Sequence, residues 1–180
     1  MSGIDTKKML DSIMQDVRVE LLDEYDRNFE RKAFFSRRWA RAKADPGHGT
    51  LMMRTGALRR SVKGRITGRS LTFSSDLPYA VIHNEGGEIV VTRRMKRFFW
   101  AMYYKYSGSS VSRRKAALMS DLAGFYKVMA LKKTGSRITI PQRQFVGDAP
   151  EVEALIRDVI EQNFKEWINS VQEQLKSIEK

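Results

Sequence analysis

Along the first thirty-five residues, Leu10, Ile13, Met14, Val17, Leu21, Tyr25 and Phe29 recur at spacings of three and four, the period of one helical face. No proline or glycine interrupts the run from Ile4 to Phe35. The pattern predicts a long amphipathic helix that Asp5 can cap. In RKAFFSRRWARAK, which follows, aromatic rings alternate with cations, and the helix either continues into this stretch or breaks near Ser36. Pro46, Gly47 and Gly49 in ADPGHG mark a turn or loop. The end of the chain repeats the opening pattern. Val152, Leu155, Ile156, Val159, Phe164, Trp167 and Val171 form the stripe of a final helix beginning near Ala149 or Pro150.

Shorter elements lie between these helices. LMMRTGALRRSV reads as a helical turn with Thr55 as N-cap, Leu58 facing the core, and Arg59 and Arg60 in water. VKGRI and SLTFSS are strand-like runs on either side of Thr67–Arg69, a hairpin pattern. DLPYAVIHNEGG lacks alternation. Asp76 as N-cap, Pro78 in the first turn and Gly86 as C-terminal cap predict a short helix. EIVVT reads as a strand, and so does Arg137–Ile140, stopped by Pro141. Two further helices are expected between those strands. One places Phe98, Phe99, Met102 and Tyr106 along one side, and the other Leu118, Leu122, Phe125, Val128 and Met129, with SGSSVS as the link. The expected fold is α+β, a small antiparallel sheet packed with long N- and C-terminal helices. It is read as one domain over residues 1–180 with a basic helical insertion at about 93–136.

A chain of 180 residues is the size of one ordinary domain and hides roughly two-thirds of its unfolded surface. No stretch approaches the ~18 uninterrupted apolar residues of a membrane span, and MSGIDTKKML has no secretory pattern. Synthesis in the cytoplasm is the simplest expectation. Charge adds more. The net charge is +12, and residues 93–143 hold thirteen basic side chains against one acid, Asp121, while the remainder balances twenty against twenty. Such a segment attracts an anionic partner, with Arg93, Arg94, Lys96, Arg97, Arg113, Arg114 and Lys115 as candidate contacts. Phe98, Phe99, Trp100, Tyr103, Tyr104 and Tyr106 lie among these cations, a composition that permits base stacking and phosphate contact. The same spacing also describes helix packing, and an acidic protein surface competes with nucleic acid as the partner.

Candidate chemistry is sparse. The absence of cysteine excludes disulfides, thiolate metal sites and a cysteine nucleophile. His48 and His83 are the only histidines. No glycine-flanked serine elbow, HExxH spacing, P-loop lysine or GxGxxG accompanies them. Asp23 and Glu24, like Glu151 and Glu153, fall in helical patterns as solvated or first-turn acids. No catalytic residue, cofactor or metal is expected.

Three stretches occur in an informative order. Thr55, Gly56, Leu58, Arg59 and Ser61 match TG-x-L-R-x-S; Tyr79, Ala80, His83 and Gly86 match YA-x-x-H-x-x-G; and Ile140, Pro141, Arg143, Phe145 and Gly147 match IP-x-R-x-F-x-G. In this the chain resembles the phage virion morphogenesis family, the tail-completion proteins of Mu-like and P2-like phages. About forty residues, Arg93 to Ser136, separate the second motif from the third, where a compact member needs only a short connection. The resemblance implies a non-enzymatic structural protein of a phage or prophage that finishes the tail or helps it join the head. It implies tail or neck proteins as partners, a homo-oligomer that can close as a ring, and a place in the virion after assembly in the host cytoplasm. The charge of the basic segment, concentrated by assembly, also allows a position near DNA. The motif residues then serve architecture, with His83 fixing a corner through a hydrogen bond.

Overall fold

The computed structural model describes residues 6–41, 51–53, 55–108 and 113–178. The expectations for Asp5, for the ADPGHG loop with His48 and for most of the SGSSVS link lie outside the described residues, as do those for the side chains of Arg113, Arg114, Lys115 and Leu118. In chain order the elements are α1 (Thr6–Arg31), β1 (Ala33–Phe34), β2 (Arg37–Arg38), α2 (Ala57–Ser61), β3 (Lys63–Thr67) and β4 (Ser70–Ser74). They continue with α3 (Ala80–Glu85), β5 (Gly87–Val90), α4 (Arg93–Ser107), α5 (Arg113–Leu131), β6 (Arg137–Ile140) and α6 (Pro150–Ile178). The fold is α+β, with long N- and C-terminal helices. Its described strands pair as three two-stranded antiparallel sheets, β1–β2, β3–β4 and β5–β6. The chain divides into two compact units: Met1–Arg38, Leu58–Leu77 and Phe145–Lys180, and Trp39–Ala57 with Pro78–Gln144.

In the first unit α1 buries Ile13, Val17, Leu21, Glu24, Tyr25, Asn28 and Phe29, so the helical period carries burial while Leu10 stays exposed and Met14 half-buried. The helix stops at Lys32, whose φ of 54° is left-handed backbone that a helix cannot continue through. Phe34 pairs with Arg37 across the turn at Phe35 and Ser36. The aromatic–basic stretch therefore opens as a small hairpin. Helix α6 runs antiparallel to α1, because Tyr25 reaches Gly147 at one end while Asn163 donates to Asp16 at 2.9 Å further along. Ile13, Val17, Leu21, Tyr25, Phe34, Ala149 and Val152 form the core between them. The β3–β4 hairpin turns at Gly68, φ 60°, with Thr67 opposite Ser70, the glycine-first turn whose twist suits paired strands. Alternation sets its faces, and Gly64, Ile66, Leu71 and Phe73 point to the less exposed side.

In the second unit, α3 ends at Gly86, φ 76°. A side chain there would meet the Gln142 backbone nitrogen at 2.8 Å. Glycine thus serves both the left-handed cap and the close approach. Asp76 does not cap this helix: it pairs with Lys63. Pro78 precedes the helix, whose N-cap is Tyr79, with no side-chain capping bond. Strand β5 pairs with β6, Gly87 opposite Ile140, and Pro141 ends the ladder because it has no N–H to donate. Helix α4 is capped by Thr92, whose side chain accepts from the Met95 N–H at 3.2 Å. Helices α4 and α5 pack on each other. The expected α5 stripe is rotated: Val128 is 63% exposed, while Leu122, Ala123 and Ala130 are buried. Between the two helices, Tyr126 stacks on Tyr106 at 5.6 Å with planes 8° apart.

Candidate interaction surface

The third motif is an irregular segment between β6 and α6, and side chains distant in sequence satisfy much of its backbone. In the first unit, Tyr25 Oη donates to the Gly147 carbonyl at 3.0 Å and Asn28 Nδ2 to the Phe145 carbonyl at 3.3 Å. Asn28, fully buried, also accepts from the Phe35 N–H at 2.9 Å and from Arg31 at 3.0 Å. The Phe145 ring lies 5.1 Å from that of Phe29. In the second unit, Trp39 Nε1 donates to the Gln144 carbonyl at 2.7 Å, and Arg143 Nε donates to the Ala40 carbonyl at 3.1 Å. A buried polar group without a partner costs about 1–3 kcal/mol, and these bonds remove that cost along a stretch that no sheet ladder pairs.

The second motif joins the third through main chain. The Arg143 N–H donates to the His83 carbonyl at 2.8 Å, and the His83 N–H donates to the Tyr79 carbonyl at 3.3 Å. The corner bond assigned to His83 is thus made by its backbone, and Nδ1 of its ring is buried with no hydrogen-bond partner. The Tyr79 ring meets the His83 ring edge-on at 6.0 Å. Burial, then the Arg143 charge, holds the His83 pKa below its ordinary value, and burial lowers that of Arg143. This is a site that keeps a histidine neutral. Ala80 is buried at the start of α3.

The first motif divides its work. Thr55 Oγ1 accepts from the Ala57 N–H at 3.3 Å just before α2, Gly56 has φ 68°, and Leu58 is buried. Arg59 is not simply solvated: it binds Asp26 and, at 2.7 Å, Glu30, both on α1. Those two acids hold its pKa well above the usual guanidinium value. Ser61 Oγ lies 2.7 Å from Ser75 Oγ and donates to the Leu58 carbonyl at 2.7 Å. Sequence reasoning missed Asn28 and Tyr25 as the holders of the third motif. The available signal was Asn28 itself, a polar residue on the apolar stripe of α1.

The second candidate region is α4. At 100° per residue, Met95, Phe99, Met102, Tyr103 and Tyr106 fall on one side, and these are half-buried. The other side is exposed and carries Arg93, Arg94, Arg97 and Lys105 around Ala101, Tyr104 and Phe98. Phe98 belongs to the expected stripe yet sits at its margin, 55% exposed. Lys96 is half-buried at the opposite margin, near Trp100. Trp100 stacks on Tyr104 at 5.9 Å and meets Tyr103 at 5.6 Å, while Lys127 of α5 lies over the Tyr103 ring at 5.9 Å. Three arginines occupy the first turns of α4, where the helix dipole is positive and cations are unfavourable. Their placement does not stabilise the helix.

Among the described residues, no group of three or more His, Asp or Glu side chains is placed to hold a metal ion. An open groove of about 710 Å³ beside α1 and the β3–β4 hairpin is lined by Arg18, Leu22, Gly64 and Arg65, among others, and includes the paired Lys63 and Asp76. No described helix is long and apolar enough to cross a membrane.

The described residues combine an α+β fold with a cationic exposed face on α4. The chain belongs to the phage virion morphogenesis family, whose model matches residues 4–165. No curated protein and no solved structure matches it. The match spans all three motifs and also the basic segment between the second and third. A role in building the phage particle follows from the membership.

Proposed function

We propose that the chain is a non-enzymatic structural protein acting in tail completion or head–tail joining. It is made in the host cytoplasm and retained in the virion. Its partners are other tail or neck proteins and further copies of itself, arranged head-to-tail so that a ring closes. The observation that supports this most is the exposed face of α4, where Arg93, Arg94, Arg97 and Lys105 stand together on a helix without a single acid. That face suits an acidic surface of a neighbouring particle protein.

A second reading is nucleic-acid binding by residues 93–143, favoured by the rings of Trp100, Tyr103 and Tyr104 beside the same cations. Light-scattering mass after size exclusion, at low and high salt, with and without duplex DNA, separates the two. A discrete oligomer unchanged by DNA is the expected result. A monomer that enters a heavy, salt-sensitive complex with DNA supports the second reading, since each phosphate contact steepens the salt dependence.

A further inference from the structure

The β3–β4 hairpin leaves a strand edge beside an open groove. Among the described residues β3 pairs with β4 and with no other strand. Thr67 and Ser70 flank the two-residue turn at Gly68 and Arg69, and the pair that closes such a turn exchanges hydrogen bonds. Hydrogen-bonded pairs alternate along an antiparallel ladder. Arg65 and Lys63 therefore also turn their N–H and C=O groups toward β4, while Gly64 and Ile66 turn theirs outward. No backbone hydrogen bond to another described element reaches Gly64 or Ile66.

The groove, about 710 Å³, lies on that side of the hairpin. Val62, Lys63, Gly64, Arg65 and Ile66 line it consecutively, so both faces of the β3 pleat, and with them its edge, border the open space; of β4 only Ser74 does. The opposite wall is one line of α1, Gln15, Arg18 and Leu22, spaced by three and four residues. Strand β3 is five residues long, about 17 Å, and the outward groups of such an edge are completed by another extended backbone.

Charge narrows the choice of that backbone. Arg18, Lys63 and Arg65 outnumber Asp76 among the described lining residues, and Lys63 and Arg65 are exposed on the same face of the strand. A second copy fits poorly. Antiparallel pairing through both outward residues, Gly64 opposite Ile66, sets Arg65 directly against Arg65, and like charges so placed are destabilising. A carboxylate at the same position is favourable. We infer that the outer edge of β3 takes up an acidic segment of a partner protein as an added strand, its carboxylates opposite Lys63 and Arg65. The edge belongs to the first unit and α4 to the second, so each surface is tested without the other.

The test uses the full, isotope-labelled chain and, as probe, a short capped peptide alternating glutamate with valine. At saturating peptide the Gly64 and Ile66 amides should exchange with solvent at least about tenfold more slowly than in the chain alone, with Lys63 and Arg65 changing little. N-methylation of the alternate peptide residues that face β3 should abolish binding, and N-methylation of the other set should not. Arg65→Glu should weaken binding at least about tenfold, as opposite cross-strand charges become like ones; Arg65→Gln is the milder change if that variant fails to fold. Equal binding of a peptide with lysine in place of glutamate, no binding at millimolar peptide, or binding that leaves the two amides unprotected overturns the proposal. Protection of both amides in the chain alone would mean that the edge is already covered, by the chain itself or by a second copy, and overturns it as well.

Discussion

The two units contrast in charge. Met1–Arg38, Leu58–Leu77 and Phe145–Lys180 together contain seventeen basic and seventeen acidic residues, whereas Trp39–Ala57 with Pro78–Gln144 contains sixteen basic and four acidic ones. The first unit uses its charges internally: Arg59 binds Asp26 and Glu30, Arg31 and Arg27 bind Glu24, and Lys63 binds Asp76. In the second, α4 has no fully buried residue and no acid. The excess of cations therefore lies in the second unit, where Arg137 pairs with Glu88 but the exposed side of α4 has no acid of its own.

That contrast breaks most visibly in the core. Phe29→Ala should cost about 3–5 kcal/mol, as expected for a fully buried ring, and chemical denaturation measures it. Phe98→Ala, on the exposed margin of α4, should cost well under half of that. If the two losses were similar, the division would be wrong. Asn28→Ala comes next, at about 3 kcal/mol, because the Phe35 N–H and the Phe145 carbonyl both lose their partner. In the second unit, Gly86→Ala should cost about 2 kcal/mol from left-handed backbone, with crowding against Gln142 adding to it; the shift in thermal midpoint reports the sum.

The paired change Arg93→Glu, Arg97→Glu sharpens the contrast from the other side. Stability should move by less than about 0.5 kcal/mol, and upward if at all, since acids suit the start of a helix. Elution from a cation-exchange column should move to markedly lower salt. The smallest effect concerns His83. Its folded pKa lies below the ordinary value of about 6.5, so as pH falls the unfolded chain takes up the proton first. The stabilisation is complete above that ordinary value and is lost as pH falls through the folded one. Thermal midpoints from about pH 7.5 to about pH 5 should fall less steeply for His83→Gln.

Much of this architecture was legible in the amino-acid order, for identifiable reasons. Periodicity located α1 because burial follows it, and located α6 although Phe164 on its stripe is 43% exposed; glycine chemistry located the turn at Gly68 and the cap at Gly86. The rotated face of α5 was not legible, because Ala123 and Ala130 are weak hydrophobic signals, yet both are buried. The end of α1 was also hidden, since Lys32 adopts left-handed backbone without being glycine. The motif residues could be found in sequence, but their holders could not. Tyr25 and Asn28 lie more than a hundred residues from the carbonyls they bind, and only the fold brings them together.

Complementation followed by electron microscopy of the particles tests directly whether the cationic face of α4 acts in particle assembly. A host carrying the phage or prophage with this gene deleted is supplied with either the parent chain or the Arg93→Glu, Arg97→Glu chain. Joined, complete particles are expected with the parent. With the variant, although it is folded to the same thermal midpoint, heads and tails should accumulate unjoined or with unfinished tails. Complete infectious particles in equal yield from the variant would contradict that role.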